Sequence, residues 1–225
     1  MNAAISLLRE TRQLVERLVE KGRRVDVLMN NVGVMNDALV VTSEGFESSF
    51  ASNLLAHWIL TESLVERALL AHGSAVINIA SGGGYTVPLS TALLNVTKSA
   101  HFNGVQAYAA HKCAQISLTA FWRERYREKG IEFFVMHPGW VDTAGVQRSL
   151  PRFRQLFSPI LRDVQSGTDT AIWLAATRPD QPTGEIIWFD RKIRSTHVFS
   201  HTRTNHETPS QLAAFLQQRA AAYAL

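Results

Sequence analysis

The sequence has 225 residues, of which 46% are hydrophobic and 19% charged, and its net charge is +4. Such a chain is long enough for one well-buried domain and has an ordinary globular composition. Its basic residues are scattered, which argues against a nucleic-acid partner, and no apolar run approaches the about 18 residues of a transmembrane helix. The single cysteine, Cys113, excludes an intramolecular disulfide and fits a reducing, cytoplasmic compartment.

In the first half of the chain, helical periodicity alternates with short apolar runs. The predicted elements are a helix at 3–21 that ends near Gly22, a strand at 25–29, a helical region at 43–71 that opens at Thr42 or Ser43 with Glu44 close behind, a strand at 75–79 and a long loop at 85–104.

The second half continues the alternation. It predicts a helix at 105–128, a strand at 131–136, a helix at 166–177, a strand at 185–189 and a polar tail from 191 that carries a short helix at 209–223. Strands that alternate with helices predict an α/β fold with a parallel sheet.

Small and polar residues follow three of the predicted strands. Asn30-Asn31 follows the first strand, Ser81 the second and Pro138-Gly139 the third. Because sites in open α/β sheets form at the carboxyl ends of the strands, we expect these residues to converge.

Tyr108 and Lys112 are four residues apart and therefore share one face of the predicted helix. A neighbouring ammonium is expected to lower the pKa of the phenol, which suits proton transfer to a carbonyl. On spacing alone, a half-buried aromatic beside a surface lysine is the simpler interpretation. A hydrolase triad is not favoured because the sequence has no Gly-x-Ser-x-Gly turn, and the histidine spacing indicates no metal site.

Taken in order, these residues resemble the motifs of the short-chain dehydrogenase/reductase family. The resemblance runs from about Leu14 to Phe189, and the long interval between Ser81 and Tyr108 is similar to a narrower group of member-12-type and retinol-dehydrogenase-like proteins. The motifs that carry it are Asn30-Asn31-Val32-Gly33, Asn53, Ser81, Tyr108-x-x-x-Lys112 and Pro138-Gly139-Trp140-Val141-Asp142-Thr143.

The resemblance implies a Rossmann-like sheet and four catalytic residues. Tyr108 would be the general acid or base, and Lys112 would lower its pKa and bind the nicotinamide ribose. Ser81 would hold the substrate oxygen, and Asn53 would steady a water that links Lys112 to solvent.

The resemblance also implies a cofactor, NAD or NADP, whose type the sequence leaves open. The residues expected to bind it are Asn30, Asn31, Val32, Gly33, Tyr108, Lys112, Pro138, Gly139, Val141 and Thr143.

One part of the family pattern is not found. The first 24 residues hold a single glycine, Gly22, and no strand followed by a glycine-rich turn. We therefore expect 1–225 to be a single partial domain that lacks the family's first strands and binds its cofactor weakly, because the turn supplies amides that hold the pyrophosphate.

Two functions remain open. The first is an oxidoreductase that acts on a carbonyl or alcohol of a small, lipophilic substrate. The second is a catalytically impaired interaction module that forms a homodimer through the helices at 43–71 and 105–128, which the resemblance implies as a subunit interface.

Overall fold

A five-stranded sheet organises the chain in the computed structural model, which describes residues 3–141, 161–197, 200–202 and 204–221. The strands lie in the order of their numbers, and β1 to β4 are parallel neighbours whereas β5 runs antiparallel to β4. They are β1 (Val27–Asn30), β2 (Ala75–Ile79), β3 (Glu132–Met136), β4 (Ile187–Phe189) and β5 (Lys192–Arg194).

Helices connect and cover these strands. They are α1 (Leu8–Glu20), α2 (Ser48–Phe50), a π-helical turn (Ala51–Leu55), α3 (Ala56–Glu66), α4 (Gly104–Arg125), α5 (Val164–Thr177) and α6 (Pro209–Ala221). The predicted α/β class with a parallel sheet and flanking helices is confirmed.

The predicted start of the helical region at 43–71 is wrong. Residues 42–46 form a turn, and α2 begins at Ser48 because the Glu47 carboxylate caps it by accepting the amides of Ser49 at 2.8 Å and Phe50 at 2.6 Å. Glu44 instead accepts the Leu8 amide at 2.6 Å and so caps α1. A carboxylate near a helix start is a recognisable signal, but the helix that it caps can be distant in sequence.

Each face of the sheet carries its own apolar cluster. On one face α1, α3, α4 and α6 pack together, and on the other α5 packs against β2 and β3. The predicted long loop at 85–104 contains two 3₁₀ turns, Thr91–Leu93 and Ser99–His101, and a third turn, Gly82–Thr86, ends at its start.

The segment after 191 differs from a polar tail. It forms β5 and α6, and α6 buries Leu212, Ala213 and Leu216 in the larger cluster. Phe215 packs edge-on against Phe50, with 6.1 Å between the ring centroids. The apolar residues of α6 are visible in the sequence, but the core residues that they contact are distant along the chain.

Among the described strands, β1 pairs on one side only, with β2. Val27 and Met29 keep 36% and 42% of their surface exposed, because α5 packs over β2 and β3 and does not reach them. In the described sheet, β1 is therefore an exposed apolar edge strand. No helix in the described part of the chain is long and apolar enough to cross a membrane.

Candidate active site

Ser81 and Tyr108 meet at the carboxyl end of β2. Ser81 follows the strand directly and opens the 3₁₀ turn Gly82–Thr86, whose Gly83 amide donates to the serine hydroxyl oxygen at 3.3 Å. A Cβ placed on Gly83 would lie 3.9 Å from Ser81 Oγ and 4.0 Å from Cδ1 of Tyr108, so the turn brings the serine hydroxyl beside the tyrosine ring. Two hydroxyls that lie 27 positions apart in the sequence therefore share one site.

Gly84 holds the serine turn against α4. A Cβ atom placed on Gly84 would lie 3.0 Å from the backbone nitrogen of Cys113 and 3.0 Å from the backbone carbon of Lys112. Only a residue without a side chain allows this backbone-to-backbone contact. The contact fixes how far Ser81 stands from the helix that carries Tyr108.

The Lys112 ammonium is buried beneath Tyr108. Its Nζ donates to the backbone oxygen of Ile79 at 2.7 Å and to Oε1 of Gln115 at 3.2 Å. The same Nζ lies 5.5 Å from the centroid of the Tyr108 ring, which is within cation–π distance. Because Ile79 is the last residue of β2, Lys112 ties the helix to the strand that leads into Ser81.

The expected lowering of the Tyr108 pKa is not what the structure gives. Burial raises the pKa of Tyr108, and the hydrogen bond from Ser81 opposes that rise only in part. Burial also lowers the pKa of Lys112 to about 7, so the ammonium is only partly populated at neutral pH. The prediction overlooked that the burial which brings the two groups together disfavours both charged forms.

Asn53 is fully buried, and its expected role in steadying a water stays a prediction. Its side chain accepts the Val34 amide and donates to the Val34 carbonyl, both at 2.8 Å, and so fixes the segment after β1. Its backbone oxygen accepts a hydrogen bond from Nε2 of Gln115 at 2.8 Å. Asn53 lies in the π-helical turn Ala51–Leu55, and such turns occur frequently at functional sites.

The Asn30-to-Gly33 segment divides into a buried and an open part. Asn30 is buried and donates to Thr61 at 3.2 Å and to Asn78 at 2.9 Å, so it links β1 to β2 and α3, and its expected contact with the cofactor stays a prediction. Asn31 and Val32 are exposed. A Cβ on Gly33 would lie 3.2 Å from Lys112 Nζ, which places this glycine beside the lysine.

The residues after β3 lie next to an open cavity of about 280 Å³, which includes Gly82, Gly139 and Trp140 in its lining. Pro138, which precedes Gly139, is half-buried, and Val141, which follows Trp140, is buried. Thr143 lies outside the described residues, so its expected role stays a prediction.

His137 and Arg162 also line this cavity. The His137 ring stacks on Phe189 with 4.3 Å between centroids, and burial lowers the pKa of His137 to about 4. Arg162 pairs with Asp190 at 2.7 Å and lies over the face of Phe189.

Sequence reasoning missed Gln115, Gly84 and Arg162. Gln115 was detectable, because it stands three residues after Lys112 and so shares its helical face. Gly84 and Arg162 gave no such signal, since their partners are distant in sequence. In the described part of the chain, no three His, Cys, Asp or Glu side chains are grouped to hold a metal.

Residues 2–152 match a family model described as short chain dehydrogenase. The human protein "Dehydrogenase/reductase SDR family member 12" is 37% identical over 177 residues, which cover 78% of this chain and 55% of that protein. The Bos taurus protein of the same name is 33% identical over 219 residues, which cover 96% of this chain and 68% of that protein. The chain thus spans little more than half of its human relative.

One solved structure of similar fold is a blue fluorescent protein from a metagenomic library in complex with NADPH. It is 25% identical, has a TM-score of 0.59, and the match covers 78% of this chain and 67% of that one. The fold similarity agrees with the parallel sheet and flanking helices seen here.

Replacing Gly84 with alanine tests the contact between the serine turn and α4. Gly84→Ala is expected to lower the free energy of unfolding by about 1–3 kcal/mol, because a methyl group must displace backbone atoms that lie 3.0 Å away. Gly82→Ala is the matched control, since a Cβ there meets nothing within 4 Å. Urea unfolding compares the two, and equal stability of both variants would contradict the contact.

Proposed function

The chain belongs to the short-chain dehydrogenase family, and on that basis we propose that it is a nicotinamide-dependent oxidoreductase that interconverts a carbonyl and an alcohol on a small, lipophilic substrate. The observation that carries the proposal is that Ser81 and Tyr108 lie side by side at Gly83, with Lys112 Nζ 5.5 Å from the centroid of the tyrosine ring. The cofactor type, NAD or NADP, stays open.

The described residues fit one half of such a cofactor. Around Lys112 the site offers an ammonium, the Tyr108 hydroxyl and, at Gly33, a space beside Nζ that a Cβ would fill. These groups suit a ribose and its nicotinamide, for which Lys112 and Tyr108 supply hydrogen-bonding partners. Asn31, Val32 and Gly139 are open enough to contact the same half.

The phosphate half finds no comparable place in the described residues. Helix N-termini are the usual phosphate sites, but side chains of this chain already accept the first amides of the helices that follow loops. The capping residues are Glu44 for α1, Glu47 for α2, Asn103 for α4, Asp163 for α5 and Thr208 for α6.

The chemistry of the chain's own residues follows from the geometry. A bound nicotinamide supplies or accepts the hydride. The Ser81 hydroxyl donates to the substrate oxygen and keeps it within reach of Tyr108. Tyr108 then gives its phenolic proton to that oxygen as the carbonyl is reduced, and takes it back in the reverse direction.

The raised pKa of Tyr108 gives the two directions different pH dependence. The proton needed for carbonyl reduction is present on the phenol at neutral pH, whereas alcohol oxidation requires the phenolate and is favoured by higher pH. Near neutral pH the site therefore favours carbonyl reduction over alcohol oxidation.

Replacing Tyr108 with phenylalanine tests the proposed reaction. Tyr108→Phe removes the proton donor and is expected to lower kcat by about 100-fold or more. Tyr126→Phe is the matched control, because that hydroxyl bonds Glu62, away from Ser81. The assay follows NADH and NADPH oxidation with a panel of lipophilic ketones, and equal kcat for wild type and Tyr108→Phe would contradict the proposal.

We further propose that this 225-residue chain binds the whole cofactor weakly, since half of the binding groups are not found among its described residues. Halving a micromolar binding free energy leaves a dissociation constant of about 1 mM. Fluorescence titration with NADPH measures the constant directly. A value in the micromolar range would contradict this expectation.

A homodimer through the helices at 43–71 and 105–128 stays a prediction, and it is the interface that the interaction-module alternative requires. Every residue of α4 from 109 to 119 is buried within the chain, and α6 packs against α4. A dimer would thus use the helix ends or include α6.

Light scattering after size-exclusion chromatography measures the mass of the protein in solution and so tests the dimer. A mass near the 25.1 kDa of one chain at high concentration would count against the dimer.

Two further expectations rest on the sequence. One is that 1–225 is a single partial domain, and the other is a cytoplasmic compartment. The second rests on the single cysteine of the sequence, Cys113, which is free and buried in the structure. Fractionation of cells that express the tagged chain tests the cytoplasmic compartment. Recovery of the chain in another fraction would contradict it.

A further inference from the structure

Gln115 occupies the junction between the lysine of the site and the π-helical turn. Its Oε1 accepts from Lys112 Nζ at 3.2 Å, and its Nε2 donates to the Asn53 backbone oxygen at 2.8 Å. Nε2 also lies 3.2 Å from Nδ1 of His57. The side chain is buried, so these neighbours are its hydrogen-bonding environment.

The π-helical turn makes the Asn53 carbonyl available. In a π turn the backbone bonds run from i to i+5, and here the Ala56 amide bonds to the Ala51 oxygen. The altered pattern leaves the Asn53 oxygen open to side chains. Gln115 on α4 takes it and thereby couples α4 to the helical segment Ala51–Leu55.

A carboxamide is the side chain that this junction requires. One end must accept from an ammonium and the other must donate to a carbonyl, and the carboxamide of Asn or Gln carries both functions on one planar group. A carboxylate would satisfy Lys112 but leave the Asn53 oxygen facing another oxygen. An aliphatic side chain would leave the buried ammonium with fewer acceptors, which is costly.

We propose that Gln115 is a positioning residue that holds the Lys112 ammonium and the Asn53 carbonyl on opposite ends of one amide, and so sets the charge state of Lys112 next to Tyr108. The catalytic consequence rests on the proposed function. The electrostatic consequence for Lys112 does not, because it follows from the contacts alone.

The groups that face Lys112 from the surrounding elements allow its titration to be isolated. His57 on α3 and His111 on α4 are both buried, and burial lowers their pKa to about 3 and about 4, so both are neutral above pH 5. Tyr108 stays protonated through neutral pH because its pKa is raised. The charge of Glu47 acts to raise the pKa of His111. Near pH 7 the change of charge in this cluster therefore belongs to Lys112.

The experiment measures the Lys112 pKa in the full chain by NMR of protein labelled with [ε-¹³C]lysine. The chain has five lysines, and a Lys112→Met variant assigns the resonance that titrates far below the others. Gln115→Leu removes the acceptor and is expected to move the titration to lower pH, by about one pH unit. Gln115→Glu replaces the acceptor with a carboxylate and is expected to move it to higher pH by a similar amount.

Gln217→Leu and Gln217→Glu are the matched controls, because Gln217 is an exposed glutamine on α6. They are expected to leave the Lys112 titration unchanged. Opposite shifts from the two Gln115 variants support the proposal. Equal titration in wild type and both variants, or shifts of both variants in the same direction, would overturn it.

Gln115→Glu is nearly isosteric with the native residue, so its upward shift alone decides the question if Gln115→Leu fails to fold. In the ketone assay, the pH limb of kcat that reports Lys112 is expected to follow the NMR shifts. Since the NMR measurement needs neither substrate nor cofactor, shifts of opposite sign without any turnover would support the role of Gln115 while contradicting the proposed function.

Discussion

The burial of α4 is the constraint on which the site depends. Residues 109–119 are covered on every side, by the serine turn, the π-helical turn, the sheet and α6. A helix held in this way cannot rotate or slide without opening the core. Tyr108 and Lys112 therefore keep one orientation toward Ser81, and the geometry of the site becomes a consequence of packing.

Four buried polar residues form a continuous chain of hydrogen bonds inside this packing. Asn30 on β1 donates to Asn78 on β2, Asn78 donates to Thr119 on α4 at 2.9 Å, and Thr119 donates to the Gln115 backbone oxygen at 2.7 Å. Buried polar groups without partners are costly, so such a ladder specifies which residues must face one another. It fixes β1, β2 and α4 in the register that brings the site together.

Sequence patterns were sufficient for the fold class and for the approximate place of most elements. The strand ends at Asn30, Ser81 and Pro138 were predictable because buried strands read as short apolar runs. The start of α2 was not, because the capping role of Glu47 and the long-range cap from Glu44 depend on tertiary contacts. α6 was underestimated since its packing stripe holds only a few apolar residues.

The residues of the site were predictable from the sequence, but their ionisation was not. The spacing of Tyr108 and Lys112 placed them on one face, as found. Their ionisation could not be deduced from spacing, because desolvation depends on the whole surrounding core and acts against both charged forms. The contact between Gln115 and the Asn53 backbone oxygen was equally beyond the sequence, because the two residues are 62 positions apart.

The central claim is that this chain presents a preformed site for the nicotinamide-ribose half of a cofactor around Lys112. The most direct test titrates the protein with nicotinamide mononucleotide and, separately, with ADP, while NMR follows the [ε-¹³C] resonance of Lys112. The account predicts that the nicotinamide nucleotide moves this resonance in a saturable way, at millimolar or weaker affinity, and that ADP leaves it in place. A Lys112 resonance that responds to ADP and not to the nicotinamide nucleotide would contradict it.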